Sequence, residues 1–136
     1  MNKDVKQYAK SSLNKASRAL DDFATSIGDE FVELVDLIRD CQGKVFFCGM
    51  GKSGIVGKKI ASTFSSIGIS SVFLSPADAG HGDLGALSSD DICIFISHSG
   101  NTEEILSLFS TIKDKLGVYT VAITGNSESF LAKKSD

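Results

Sequence analysis

Tryptophan is missing from this chain of 136 residues, proline occurs once, histidine twice and cysteine three times. Each shortage excludes something. One proline leaves no polyproline segment and no run of rigid turns. The three cysteines, Cys41, Cys48 and Cys93, are odd in number and widely spaced, which rules out a disulfide scaffold, and no C-x-x-C pair or Cys/His cluster has the spacing of a metal or redox site. Cys48 and Cys93 stand inside apolar runs and read as small buried hydrophobes in a reducing cytoplasm. Positive charge is not in excess: 14 Lys and Arg face 17 Asp and Glu, a formal net charge of -3, so the electrostatic footprint of a nucleic-acid partner is lacking. Long apolar runs are lacking too, which excludes a membrane span, and the polar start at residues 1–10 has no signal-peptide core.

What is there fits one globular domain with a real core: 42% hydrophobic and 23% charged residues. The first forty residues read as helix. Val5, Ala9, Leu13, Ala16, Leu20 and Phe23 recur at spacings of three and four and draw one apolar stripe. Gly28 interrupts it, and Asp29 is placed to cap a second helix with Phe31, Leu34, Val35 and Ile38.

After Gly43 the pattern changes to strand–helix alternation. Val45–Cys48 is a short continuous apolar run, as expected of a strand covered on both faces. The glycine-rich stretch 49–54 opens a helix with Ile55, Val56, Ile60 and Phe64, which Gly68 stops. Residues 69–74 are β-like, 92–96 form a stronger strand, 103–116 a helix, 118–123 another strand and 127–133 a short helix. Such alternation predicts an α/β fold: a doubly wound, mainly parallel sheet flanked by helices, with an N-terminal helical segment. Residues 75–91 show neither period and read as a long loop of the kind that carries function.

In open parallel sheets, ligands bind where strand ends lead into helix N-termini, and three turns there are chemically unusual. Gly49-Met50-Gly51-Lys52-Ser53-Gly54 matches the G-x-G-x-x-G pattern, but Leu74-Ser75 supplies no acidic residue for a nucleotide ribose. Gly51-Lys52-Ser53 resembles the end of a P-loop, yet Phe46 stands where that motif needs glycine. What remains is a turn with one lysine and one serine, suited to an anion. Ser97-His98-Ser99-Gly100-Asn101-Thr102 is more specific. Three hydroxyls, on Ser97, Ser99 and Thr102, surround a glycine ahead of an amphipathic helix, and a helix cap needs only one. Free N–H groups and the helix dipole favour a phosphate there. The third turn, Thr124-Gly125-Asn126-Ser127, reads either as an edge that touches the ligand or as a simple cap. His81 stands between glycines in residues 76–85, PADAGHGDLG, a setting suited to close approach of a ligand; His98 lies in the phosphate turn itself.

These stretches, GMGKSG at 49–54, PADAGHGDLG at 76–85 and SHSGNTEE at 97–104, resemble the sugar isomerase (SIS) domain, and within it the D-arabinose 5-phosphate isomerases. The resemblance covers about residue 43 to the C-terminus and implies a flavodoxin-like fold. It implies interconversion of D-ribulose 5-phosphate and D-arabinose 5-phosphate through an enediol(ate), with no cofactor, in the supply of an eight-carbon sugar acid for lipopolysaccharide or capsule. Ser97, His98, Ser99 and Thr102, with Gly51 and Ser53, match the phosphate site. Lys52, Glu104 and His81 match catalytic positions, and the proton on carbon falls to His81 or Glu104. His98 and Asn101 depart from the family, which commonly has asparagine and glutamate there. The resemblance further implies a cytoplasmic homo-oligomer, dimer or tetramer, whose partners are small sugar phosphates and neither nucleic acid nor membrane.

The domain division expected is 1–42, a helical segment packing on the domain, and 43–136, an SIS domain that lacks its last strand and any cystathionine-β-synthase-type regulatory domains. On that basis the chain by itself is expected to have little or no turnover. The competing reading is a non-catalytic SIS module that senses a phosphosugar; it is weakened by the HGDLG loop and by the absence of a basic helix-turn-helix in residues 1–40.

Overall fold

The structure is a computed structural model that describes residues 2–80 and 82–136, arranged as two compact units, residues 1–39 and 40–136. The first unit holds two helices, α1 (Asn2–Ser26) and α2 (Asp29–Asp40). Gly28 and the Ile27 before it form the break between them, and Asp29 and Glu30 give the second helix an acidic first turn, which its dipole favours. The α1 stripe expected from the sequence remains open to solvent: Val5, Tyr8, Leu13, Leu20 and Phe23 are 61–75% exposed.

The second unit is a four-stranded parallel sheet of β1 (Val45–Gly49), β2 (Ser71–Leu74), β3 (Ile92–Ile96) and β4 (Tyr119–Ile123), in the order β2-β1-β3-β4. Every residue of β1 and β3 is buried, which is why these strands read as unbroken apolar runs rather than as alternation. Side-chain parity assigns the two faces. Phe47, Phe73 and Ile96 meet α3 (Gly51–Ser66), with the Phe47 and Phe64 rings edge to face at 5.3 Å. On the opposite face, Phe46, Cys48, Cys93 and Phe95 share a core with Ile105, Leu108 and Phe109 of α5 (Glu103–Ser110) and Leu131 of α6 (Phe130–Lys134). The expected doubly wound α/β fold is therefore present. Burial pushes the Cys48 thiol up to about 12 and Cys93 well above its ordinary value, so both behave as hydrophobes.

Several boundaries differ from the sequence expectation, each for a local reason. The first turn is shorter than residues 49–54: α3 already begins at Gly51, with Met50 as its N-cap. The stretch 75–91 is not all loop. Ser75 and Pro76 start a one-turn helix α4 (Pro76–Ala79), because proline's fixed φ suits a helix's first position, and Asp83–Ala86 forms a 3-10 turn. Helix α5 stops at Ser110 and passes into a π-helical turn at Thr111–Lys115. Finally, α6 begins at Phe130 rather than near 127, because Ser129 is the residue whose hydroxyl accepts the Ala132 N–H.

Candidate functional site

Chain direction reverses its path through the sheet between β1 and β3: β1 leads outward to β2, β3 outward to β4. Crevices form at the carboxyl ends of strands where the winding reverses in this way. The pairing of Gly49 with Ile96 makes the two turns that follow leave adjacent strands at the same level. One carries Gly51, Lys52 and Ser53; the other carries residues 97–102.

Lys52 and Ser53 lie in the first turn of α3, Lys52 exposed and Ser53 half-buried, and Gly51 adopts φ +53°. The hydroxyl turn is tighter. Ser97, only 2% exposed, sets its Oγ 2.8 Å from Thr102 Oγ1 and 3.5 Å from Ser99 Oγ, so the three hydroxyls expected to act together are gathered in one place. Thr102 occupies the N-cap of α5 but makes no side-chain cap bond. Its hydroxyl pairs with Ser97 instead, which counts against an ordinary cap. Meanwhile the Gly100 N–H donates to Ser97 Oγ (3.1 Å) and the Asn101 N–H to Ser99 Oγ (3.2 Å). The first N–H groups of α5 have no carbonyl inside the helix, and they add partial positive charge at this spot. Glu104 sits exposed in that same first turn. Neutral hydroxyls, unspent N–H groups and a helix dipole together suit a phosphate.

Gly100 shows how close the packing is. Its φ is +65°, and a Cβ there would overlap Ser129 Oγ and approach Thr124 Oγ1 to 2.8 Å. The turn after β4 is thus pressed against the hydroxyl turn. Thr124 Oγ1 accepts the Asn126 N–H, and the His98 carbonyl accepts the Gly125 N–H at 3.1 Å. The His98 ring lies against Gly125, where a Cβ would come within 2.8 Å of Nδ1. This third turn, read from sequence as a sugar edge or a cap, braces the second.

His81 lies outside the described residues. The described α4, which follows β2, buries Ala79 in the core that α5 shares. Sequence reasoning missed the part played by Ser129 and assigned Asn101 no task. Serine three residues before a backbone N–H in a short apolar run is a readable cap signal; the partner of Asn101, 29 residues away, has no local signature.

Comparison with known proteins now decides the family. Residues 37–136 match the SIS domain model. The chain belongs to the SIS domain family. Over 135 residues it is 43% identical to arabinose 5-phosphate isomerase KdsD of Pseudomonas aeruginosa, covering 99% of this chain and 41% of the relative. Over 126 residues it is 43% identical to arabinose 5-phosphate isomerase KpsF of Escherichia coli O6:H1, covering 92% and 38%. A protein of E. coli CFT073 solved in complex with arabinose 5-phosphate superposes with a TM-score of 0.93 at 40% identity, over 100% of this chain and 72% of that one. The chain spans about two fifths of the length of these curated relatives. Among the described residues no helix is long and apolar enough to cross a membrane.

Proposed function

We propose that this SIS domain belongs to an aldose–ketose isomerase that interconverts D-ribulose 5-phosphate and D-arabinose 5-phosphate. The observation that carries the proposal is the hydroxyl cluster of Ser97, Ser99 and Thr102 at the reversal point of the sheet, at the N-terminus of α5. Relatives named arabinose 5-phosphate isomerases, and a structural neighbour holding arabinose 5-phosphate, supply the choice of sugar.

In this reading the phosphate rests on Ser97, Ser99, Thr102 and the backbone around His98, with Gly51 and Ser53 on the facing turn. The chemistry is redox-neutral and needs no external electron acceptor. A base takes the proton from the carbon beside the carbonyl, an enediolate forms, and the same proton equivalent returns to the neighbouring carbon. His81 and Glu104 are the acid/base groups, and Lys52 offsets the negative charge that develops on the oxygens. Residues 43–136 are the domain that binds the sugar phosphate and 1–42 a helical adjunct. The exposed α1 stripe supports assembly as a homo-oligomer, since so much apolar surface on one helix face asks for a partner. A charged sugar-phosphate substrate supports a cytoplasmic site of action, and the net charge of -3 supports the absence of nucleic acid among partners.

The assay is isomerisation of D-ribulose 5-phosphate, with glucosamine 6-phosphate and fructose 6-phosphate as alternatives, on this chain and on a version of the length of its relatives. Turnover with ribulose 5-phosphate alone is expected from the longer protein. Binding of D-arabinose 5-phosphate without turnover in either would favour the sensor reading. Replacing Ser97 and Ser99 together with alanine is expected to weaken sugar-phosphate binding by on the order of 1–3 kcal/mol, and unchanged affinity by calorimetry would remove the phosphate assignment.

A further inference from the structure

Helix α6 spends its N-terminal donors in an unusual way. The first N–H groups of a helix have no intrahelical acceptor and must find one elsewhere. Here the Phe130 N–H donates to Asn101 Oδ1 at 2.9 Å, the Leu131 N–H to the Gly100 carbonyl at 3.2 Å, and the Ala132 N–H to its own cap, Ser129 Oγ, at 3.3 Å. The first intrahelical bond follows, from Lys133 N–H to the Ser129 carbonyl. Two of the three free donors are therefore given to the hydroxyl turn.

Asn101 is the residue that makes this possible, and its amide works at both ends. Oδ1 takes the α6 donor while Nδ2 donates to the Ser99 carbonyl at 3.3 Å, and its own N–H donates to Ser99 Oγ. Neither a carboxylate nor an aliphatic side chain reproduces that pair. Aspartate has no donor for the Ser99 carbonyl and brings a negative charge beside an anion site; alanine loses both bonds. Among the described residues Ser99 makes its own hydrogen bonds only within its turn, being solvent-exposed and 3.5 Å from Ser97 Oγ; the turn after β4 reaches no nearer than the His98 carbonyl, which accepts the Gly125 N–H.

We propose that Asn101 is a positioning residue of the phosphate turn, holding Ser99 in place by tying it to the first turn of α6. The proposal rests on the reading of residues 97–102 as the phosphate site. It assigns Asn101 no contact with the sugar carbons, so its removal should loosen every phosphate-bearing ligand by one common factor.

Phe130 allows the bond to be cut from the far side. It stands at the first helical position, and Ser129 before it has φ -69° and ψ 164°, the extended conformation that a following proline requires. Phe130→Pro thus deletes the N–H with the backbone already compatible. Its ring packs edge to face on Phe109 at 5.4 Å, so Phe130→Leu serves as the control for losing the ring.

The test is calorimetric titration of inorganic phosphate and of D-arabinose 5-phosphate into the full chain, as wild type, Asn101→Ala, Phe130→Leu, Phe130→Pro and the double variant Asn101→Ala/Phe130→Pro. Phe130→Pro, which cuts the bond to α6, is expected to weaken both ligands by about tenfold, and Asn101→Ala, which also loses the bond to the Ser99 carbonyl, by about tenfold or more. The double variant should bind no worse than Asn101→Ala, which already lacks the bond that Phe130→Pro deletes. Phe130→Leu should bind as wild type does. Wild-type affinity in Asn101→Ala, multiplied losses in the double variant, or a loss in Phe130→Leu equal to that in Phe130→Pro would each overturn the proposal. If Asn101→Ala does not fold, the comparison of Phe130→Pro with Phe130→Leu decides alone. Failure of the wild type to bind either ligand would remove the phosphate reading and this proposal with it, whereas a binding wild type with unchanged variants removes only the proposal.

Discussion

Gly100→Ala puts the packing of the hydroxyl turn to a quantitative test. Two costs add there. The first is conformational: with φ at +65°, an L side chain pays about 1–2 kcal/mol for the left-handed region. The second is steric. A Cβ would overlap Ser129 Oγ and Cβ, so Ser129 must move, which puts at risk its cap bond to the Ala132 N–H, worth about 1 kcal/mol. The Leu131 bond to the Gly100 carbonyl adds about 1 kcal/mol more. The total loss expected is about 3–4 kcal/mol. Gly117→Ala is the matched control, because Gly117 has φ +67° and nothing within 4 Å of the position its Cβ would take. It should cost only the conformational part, about 1–2 kcal/mol. Urea unfolding of both variants measures this, read from midpoints at unchanged slope. Equal losses in the two variants would refute the reasoning, since the structure then would hold Ser129 less firmly than its contacts indicate.

Two further outcomes follow from buried or bonded carboxylates. Asp91 is 2% exposed and accepts the Lys44 N–H (2.6 Å) and the Ser88 N–H (2.7 Å), so Asp91→Ala should destabilise by about 3 kcal/mol and Asp91→Asn by roughly half that; loss below about 1 kcal/mol in the alanine variant would contradict it. At Asp136, burial alone would raise the carboxyl, but hydrogen bonds from Lys113 and Thr120 and the Lys113 charge outweigh it and hold the group below its ordinary value. A depressed folded value means that the stabilisation is complete above the unfolded value near ~4 and fades as pH falls through the lower folded one. The stability gap between wild type and Asp136→Asn should therefore be flat at neutral pH and close in acid, and a gap that widens on acidification would be the wrong sign.

The sequence was most legible where one physical demand dominated. Val45–Gly49 and Ile92–Ile96 are buried on both faces, so their apolar runs could serve only as central strands. The hydroxyl turn was legible for a different reason: three hydroxyls exceed the needs of a cap, and in the structure Thr102 indeed leaves its own helix uncapped to pair with Ser97. Boundaries were less legible where tertiary contacts set them. Ser127 and Ser129 are equal cap candidates by type, and only the contact of Ser129 with Gly100 separates them. The one-turn helix at Pro76–Ala79 is too short to show a period, and what fixes it is the burial of Pro76 and Ala79. Asn101 was least legible of all. An asparagine in a turn usually bonds its own neighbours, and nothing in residues 97–104 indicates that its oxygen reaches α6.

The strand order has a consequence for how the chain folds. Strands β1 and β2 begin pairing at Val45 and Ser71, β3 and β4 at Ile92 and Tyr119, each pair joined through its own helix, while β1 meets β3 across the longer interval from Val45 to Ile92. Loop-closure entropy disfavours that central pairing by only about 0.5 kcal/mol more than the outer ones, about a twofold bias toward forming the outer pairs first. The two βαβ halves are then natural cooperative units, and the seam between them is the one where the lysine turn and the hydroxyl turn come together. A phosphate ligand that touches both turns makes its full set of contacts only when the halves are joined. Its stabilisation, RT ln(1 + [L]/Kd), is then largest for the joined state, so ligand should raise hydrogen-exchange protection in both halves together and suppress any opening that parts them.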